Sequence, residues 1–149
     1  MRKYINLIKQ YHCLYKKIKP THEDDYNKCY YCGGFADTLD HQPAISVIQE
    51  LITANKIFEC LLIPCCTRCN LLLSDSLTYT LEKRKQLLKD ILFKKYKKKL
   101  LQAQKWDDEE IEDLKNDGEK EIYKMISALK IFALEIEQQL NYNGFNYDQ

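Results

Sequence analysis

The sequence predicts an α+β protein in which a short cysteine-containing unit is followed by a predominantly α-helical C-terminal half. Two pairs of cysteines lie close together in the first half of the 149-residue chain, and Gly and Pro number only 4 and 3. Apolar residues recur at helical spacing through most of the chain after residue 80. We therefore divide the chain into an N-terminal helix and loop (1–28), a compact unit (29–76) and a helical region (77–149).

The N-terminal elements follow from spacing and from proline. Apolar residues at helical spacing predict one helix over residues 4–18, and Pro20 ends it. Residues 21–28 are polar without periodicity and predict a loop. The expected elements of the middle unit are a strand near 35–40, a helix over 43–54, a strand over 58–63 closed by Pro64, and a short helix from Thr67.

The C-terminal region reads as three helices. Thr80 is placed to cap a helix that runs to about Gln104, with a buried stripe of leucine and isoleucine residues. Asp107 caps a short acidic helix over 108–114. The last helix presents an apolar stripe over 122–140 and stops at Asn143-Gly144. That stripe is either core or the seam of a homodimer formed through the C-terminal helices.

Charge is unevenly distributed, although Lys and Arg (23) nearly balance Asp and Glu (22). The segment 83–105 holds ten basic residues and a single acid, Asp90, whereas 107–121 is strongly acidic. No apolar run approaches the roughly 20 residues that span a bilayer. Polar residues interrupt any signal-peptide core at the N-terminus. We therefore expect no membrane association and a cytoplasmic location.

The cysteines predict a structural zinc site. Without a secretion signal, seven cysteines are unlikely to form a disulfide framework. Cys29 with Cys32 and Cys66 with Cys69 form two Cys-x2-Cys pairs, and a two-residue gap lets both thiolates of a pair face one tetrahedral Zn²⁺. Cys65 is a rival to Cys66, but it would leave a three-residue gap to Cys69. The remaining cysteines, Cys13 and Cys60, fall on apolar stripes and are expected in the core.

Three polar residues are expected beside this zinc. Asp40 and His41 lie between the pairs, and Asn70 directly follows the second pair. A carboxylate and an amide oxygen suit a hard cation such as Mg²⁺ or Mn²⁺. An imidazole that titrates near neutrality suits a general base. By themselves, Asp-His can make an ordinary turn and Asn70 can be an ordinary helix cap.

The order Cys-x2-Cys, Asp-His, Cys-x2-Cys-Asn resembles the HNH, or ββα-metal, nuclease family, and within it the phage recombination endonuclease VII branch. The resemblance covers residues 29–75, about a third of the chain. It implies a zinc-bound ββα-metal unit and a metal-dependent HNH endonuclease that hydrolyses DNA phosphodiester bonds. By the same resemblance, Asp40 and Asn70 hold the catalytic Mg²⁺ or Mn²⁺, and His41 activates water.

The sequence departs from the family pattern at some positions. Leu61 stands where other HNH enzymes carry an asparagine that orients the base. No acidic partner is placed for the second ring nitrogen of His41, so we expect a backbone group to hold it. Asn70 stands where many relatives carry a metal-binding histidine. If the protein is phage-encoded, its location is the cytoplasm of the host cell.

A nuclease needs a surface for DNA. The clustered basic residues of the helix after Thr80 suit a phosphate track, although such a face can also simply be solvated. The candidate phosphate-binding residues are Arg84, Lys85, Lys94, Lys95, Lys97, Lys98 and Lys99. Two other functions remain open: a non-catalytic zinc module that binds DNA or protein, and a redox protein that uses one Cys-x2-Cys pair.

Overall fold

The protein has a mixed α+β fold with small sheets and long C-terminal helices, as the sequence predicts. The structure is a computed structural model and describes residues 1–56 and 59–148. The helices are α1 (Arg2–Tyr11), α2 (Ile48–Thr53), α3 (Thr67–Leu73), α4 (Leu81–Gln104), α5 (Asp108–Asn116) and α6 (Lys120–Asn141). The strands are β1 (Lys16–Lys17), β2 (Lys19–Pro20), β3 (Thr38–Gln42), β4 (Leu61–Cys65) and β5 (Tyr147–Asp148).

The larger sheet has the order β1-β4-β3. Strand β4 pairs antiparallel with β3, from Thr38 opposite Cys65 to Gln42 opposite Leu61, and parallel with β1. Strands β2 and β5 form a separate antiparallel pair. Helix α3 begins two residues after β4, so the paired strands β3 and β4 form a strand–strand–helix unit with α3, although α2 lies between the two strands in the chain.

Strand β4 contains Pro64, which we expected to end it. The carbonyls of Cys60 and Leu62 face β1, where they accept bonds from Lys16 and Ile18. The backbone groups of residues two apart in a strand point to the same edge. The backbone nitrogen and carbonyl of Pro64 therefore also point towards the β1 edge, beyond the end of β1. Its missing N–H therefore costs the β3–β4 ladder nothing, and its carbonyl accepts from the N–H of Tyr30 at 2.9 Å.

The predicted helix over 4–18 is wrong beyond residue 11. A single 3₁₀ turn follows α1, and the chain then becomes extended. Tyr15 and Ile18 are buried, as a helical stripe would require, but they enter the core from the extended segment that pairs with β4. Long-range strand pairing here overrides a periodicity that fits a helix locally.

The middle elements are shifted from their predicted positions. Strand β3 starts at Thr38 rather than near 35, and helix α2 starts at Ile48 rather than at 43. The predicted strand over 58–63 begins partly outside the described residues, and β4 is observed over Leu61–Cys65. The start of a helix at Thr67 is confirmed.

The C-terminal helices agree closely with the local signals. The hydroxyl of Thr80 accepts a bond from the N–H of Lys83 at 3.2 Å, which confirms the predicted cap of α4. Asp107 and Glu110 form a capping box at the start of α5. In α6, Ala133 and Ile136 are buried with Leu100 and Ala103 of α4.

The part of the chain that the structure describes forms two compact units. The first comprises Met1–Lys89 together with the C-terminal residues from Tyr142, and the second comprises Asp90–Asn141. Residues 1–28, which the sequence predicts as a separate N-terminal region, contribute β1 and β2 to the sheets of the first unit. Of the helices within residues 1–56 and 59–148, none combines the length and apolar character that crossing a bilayer requires.

Candidate metal centre and histidine cavity

Four cysteine sulfurs meet at one point, as the two pairs predict. The ligand atoms of Cys29, Cys32, Cys66 and Cys69 all lie within 4.8 Å of one another. The sulfurs of Cys32 and Cys66 are 3.8 Å apart. A tetrahedron with Zn–S bonds of about 2.3 Å has an edge of about 3.8 Å, so this spacing fits a zinc ion. The cluster includes Cys66, the cysteine preferred from the sequence, and not Cys65.

Local backbone geometry brings each pair into position. Between Cys29 and Gly34 the chain makes a tight knuckle, in which the N–H of Gly33 donates to the carbonyl of Cys29 at 2.9 Å. Gly33 has φ +75°, and a side chain there would meet the ring of Tyr142 at 3.1 Å. In the second pair, Cys66 caps α3, and its sulfur accepts from the N–H of Cys69 at 3.4 Å.

The electrostatics of the cluster call for a cation. Hydrogen bonds from the Cys29 and Cys69 thiols lower the pKa of Cys32 to about 2. The pKa of Cys69 is raised by its hydrogen bonds with Cys29 and Cys32. These opposite directions mean that the first proton leaves easily and the later ones do not, because thiolates this close repel one another. A divalent cation removes that repulsion and allows all four sulfurs to ionise.

Arg68 adds positive charge at the same place. Burial alone would lower its pKa, but the neighbouring Cys69, Cys32 and Cys66 raise it, and its side chain hydrogen-bonds to Cys69. An arginine inside the second pair therefore partly balances the charge of four thiolates.

The other cysteines lie outside the cluster. Burial raises the pKa of Cys65 on β4, so its thiol stays neutral. Cys60 is half-buried and packs against the core around Ile48. Cys13 is exposed in the 3₁₀ turn after α1, and the expectation that it belongs to the core is wrong because the predicted helix ends before it.

Asp40, which the sequence predicts as a ligand of the catalytic cation, is held in a buried ion pair with Arg84. Its Oδ2 accepts the Nε–H of Arg84 at 2.6 Å and the Tyr31 hydroxyl at 2.6 Å, and its Oδ1 accepts from Nη2 of Arg84 at 2.7 Å. Each carboxylate oxygen accepts about two hydrogen bonds, so one acceptor position remains, on Oδ1. Burial and the Asp40 charge raise the pKa of Tyr31, whose hydroxyl stays protonated and donates.

Arg84 cannot be a phosphate contact, contrary to its place in the predicted track. It is 0 % exposed, and Asp40 is 2 % exposed. The guanidinium also donates to the carbonyls of Ser76 at 2.9 Å and Ser74 at 3.0 Å. With a further contact from Nη1 to the Thr78 hydroxyl at 3.5 Å, all five N–H donors of Arg84 have acceptors inside the first unit, where the side chain links α4 to β3 and to the end of α3.

Lys85 is likewise engaged in the structure. Its ammonium group contacts Glu82 at 3.1 Å and the carbonyl of Asn143 at 3.1 Å, and its side chain is only 13 % exposed. This placement does not fit the predicted phosphate contact. The other candidates are all exposed on α4: Lys94, Lys95, Lys97, Lys98 and Lys99.

His41 lies one residue further along β3 and lines a cavity of about 470 Å³. Neighbouring side chains in a strand point to opposite faces, which separates His41 from the buried side chain of Asp40. The ring of Tyr15 packs edge-on against the imidazole with centroids 4.9 Å apart. Burial, and secondly the nearby His12, lower the pKa of His41 below its ordinary value of 6.5. The imidazole is therefore neutral at pH 7.

The partner of the second ring nitrogen is His12, not a backbone group as expected. Nδ1 of His12 lies 3.3 Å from Nε2 of His41. His12 sits in the 3₁₀ turn that replaces the end of the predicted helix. Sequence reasoning missed it because the two histidines are 29 residues apart and only the parallel pairing of β1 with β4 brings them together.

Asn70 lies on α3 and lines the same cavity as His41. Its Nδ2 donates to the carbonyl of Leu39 at 3.5 Å, a long bond that leaves the amide oxygen as a ligand atom. Asp75, which is exposed, also lines this cavity and was missed from the sequence because it follows the motif. The structure thus brings His41, Asn70 and part of Asp40 to one cavity wall.

No protein-family model, no curated protein and no solved structure matches this chain. What the site can do chemically is therefore derived from its own residues. Within the described residues, the four-cysteine cluster is the one group of three or more His, Cys, Asp or Glu side chains that could hold a metal ion.

Proposed function

We propose that the protein is a metal-dependent HNH-type endonuclease that hydrolyses DNA phosphodiester bonds. One observation carries this proposal: a neutral, half-buried His41 shares a cavity with Asn70 on a strand–strand–helix unit that the four-cysteine site closes. The antiparallel pairing of β3 with β4, followed by α3, supports reading this unit as the ββα-metal unit of the family that the sequence resembles, with α2 as an insertion between the two strands. The zinc is then structural, because four sulfurs leave no open position.

His41 acts as the general base on water. In the productive tautomer, Nε2–H of His41 donates to Nδ1 of His12, and Nδ1 of His41 keeps its lone pair. The proton of the attacking water passes to that nitrogen while the water oxygen attacks phosphorus. The bond from phosphorus to the leaving 3′ oxygen breaks, and that oxygen takes a proton from solvent. The low pKa of His41 keeps this lone pair free at neutral pH. His12 and the Tyr15 ring hold the imidazole in place.

The amide oxygen of Asn70 is the proposed ligand for a catalytic Mg²⁺ or Mn²⁺. Asp75 is a second ligand candidate, since it is exposed in the same cavity. Asp40 offers only one remaining lone pair on Oδ1, and Arg84 cancels its charge. Such a cation would supply charge neutralisation at the phosphate and the leaving oxygen.

The DNA backbone is the proposed partner of the exposed lysines on α4. Five of them lie between residues 94 and 99 and are exposed. Contacts of this kind position a duplex without reading its sequence. We therefore expect cleavage that is weakly specific in sequence and that weakens steeply with salt.

Plasmid nicking tests this function. Supercoiled DNA is incubated with the zinc-loaded protein and Mg²⁺ or Mn²⁺, and His41→Ala is compared with His22→Ala, which alters an exposed histidine outside the cavity. We expect the wild type and His22→Ala to nick and His41→Ala to be inactive, with zinc content and circular dichroism unchanged. Equal nicking by both variants, or none by the wild type, refutes the proposal.

A non-catalytic zinc module that binds DNA or protein is the second candidate. The observation that favours it is the buried pair of Asp40 and Arg84, which removes a carboxylate from the cation site. A mobility shift of duplex DNA without nicking in either metal supports this alternative.

A further inference from the structure

We propose that His12 and His41 form a second metal site, which binds a divalent transition cation such as Zn²⁺, Ni²⁺ or Cu²⁺ and is separate from the four-cysteine site. The two imidazoles face each other through Nδ1 of His12 and Nε2 of His41. They belong to elements distant in the chain, the 3₁₀ turn after α1 and strand β3.

The distance between the two nitrogens fits a shared cation. Zn–N bonds of about 2.0–2.1 Å give a tetrahedron with an edge of about 3.3–3.4 Å. The observed separation is 3.3 Å, whereas N–H donors most often lie about 2.9–3.0 Å from their acceptors. The rings are inclined at 66° with centroids 5.6 Å apart, so they converge at their edges rather than stack.

The surroundings favour an open and reversible site. His12 is exposed, so a cation can arrive with its remaining water ligands. The edge-on ring of Tyr15 restricts the orientation of His41 before any cation binds. Within the described residues, no third His, Cys, Asp or Glu joins the pair. Imidazole is a preferred ligand of Zn²⁺, Ni²⁺ and Cu²⁺, but two ligands bind more weakly than four thiolates.

Occupation of this site has a consequence that rests on the proposed nuclease function. A cation on Nε2 of His41 displaces the proton from that nitrogen, and the ring then carries its proton on Nδ1. The lone pair that would accept the proton of water is lost. Zinc in excess of the structural ion is therefore an inhibitor that acts by occupying the base.

Metal titration of the intact protein tests the site. Zinc-loaded protein is dialysed against Ni²⁺, and bound nickel and retained zinc are both measured. We expect a second equivalent of metal in the wild type and in His22→Ala, and its loss in His12→Ala and His41→Ala, with the first zinc retained throughout. No second equivalent in the wild type, or its retention in His12→Ala, overturns the proposal.

Nitrogen NMR of the unmodified protein provides a test that needs no variant. On addition of Zn²⁺, the ring ¹⁵N signals of His12 and His41 should shift while those of His22 stay fixed, and unshifted signals would count against the site. The metal-binding and nicking experiments distinguish the two proposals. A second metal equivalent without nicking supports the two-histidine site and refutes the nuclease function. Nicking without a second metal equivalent supports the nuclease function and refutes the two-histidine site.

Discussion

Arg84→Met removes one half of the buried ion pair that joins α4 to β3. The substitution keeps much of the aliphatic stem but deletes a guanidinium that is 0 % exposed. Asp40 then keeps its charge in the interior with only the Tyr31 hydroxyl as a donor. The carbonyls of Ser74 and Ser76 also lose their partner.

The expected cost follows from this geometry. Charges about 4 Å apart attract by about 4 kcal/mol at an effective dielectric constant of about 20. Breaking a buried pair from one side costs about 3–5 kcal/mol, because an uncompensated charge stays buried. We therefore expect Arg84→Met to lower the free energy of unfolding by about 3–5 kcal/mol. Arg84→Met combined with Asp40→Asn should be more stable than Arg84→Met alone, since no buried charge is left.

Urea unfolding with zinc present, together with hydrogen exchange of the β3 amides, measures this loss in the first unit. The matched control is Lys83→Met, which alters an exposed neighbour on α4 and should change stability by no more than about 0.5 kcal/mol. If Arg84→Met costs no more than Lys83→Met, the ion pair does not stabilise the fold, and the argument that Arg84 holds Asp40 and β3 in place fails with it.

Three further predictions follow from single sites. Cys69→Ser should abolish zinc binding and unfold the surrounding region, whereas Cys13→Ser should retain the metal, as metal analysis and circular dichroism will show. Gly33→Ala should destabilise more than Gly118→Ala in thermal unfolding. Both have positive φ, which costs other residues about 1–2 kcal/mol, but only at Gly33 does the added carbon meet a ring, at 3.1 Å. Because the pKa of His41 is lowered, the acid limb of the pH–rate profile should lie below 6.5, and a limb at or above 6.5 would contradict its role as the base.

The lowered pKa of His41 also predicts how the stability of the fold depends on pH. The unfolded chain binds a proton at His41 more readily than the folded protein does, so this residue's contribution to stability is present above pH 6.5 and is lost as pH falls towards its folded pKa. His41→Ala should remove this part of the pH dependence, while His22→Ala should leave it unchanged in urea unfolding at several pH values.

Local signals account for the parts of the fold that the sequence predicts well. The cap at Thr80, the capping box at Asp107 and the two cysteine pairs each depend on residues a few positions apart. The N-terminal segment fails for the opposite reason. Tyr15 and Ile18 satisfy a helical period, yet their backbone is extended because β4, about 45 residues later, offers a strand partner.

The charged residues of the candidate site were also hard to predict, because their partners lie far away in the sequence. Arg84 was assigned to DNA because it stands in a basic run, and no sequence pattern distinguishes a buried arginine from an exposed one. Its carboxylate partner lies 44 residues away. His12 was missed on similar grounds, since a lone histidine near the N-terminus carries no motif. Residues that meet across long stretches of chain are set by topology, which spacing alone does not encode.

The adjacency of Asp40 and His41 explains how one dipeptide serves two purposes. On a strand, consecutive side chains point to opposite faces. Asp40 therefore enters the core, where Arg84 and Tyr31 fix it, and this fixes the stretch of β3 from which His41 enters the cavity. Because Arg84 neutralises Asp40, the negative charge that could attract a cation to the cavity comes mainly from Asp75. The acid of the motif thus contributes mainly by holding the histidine in place.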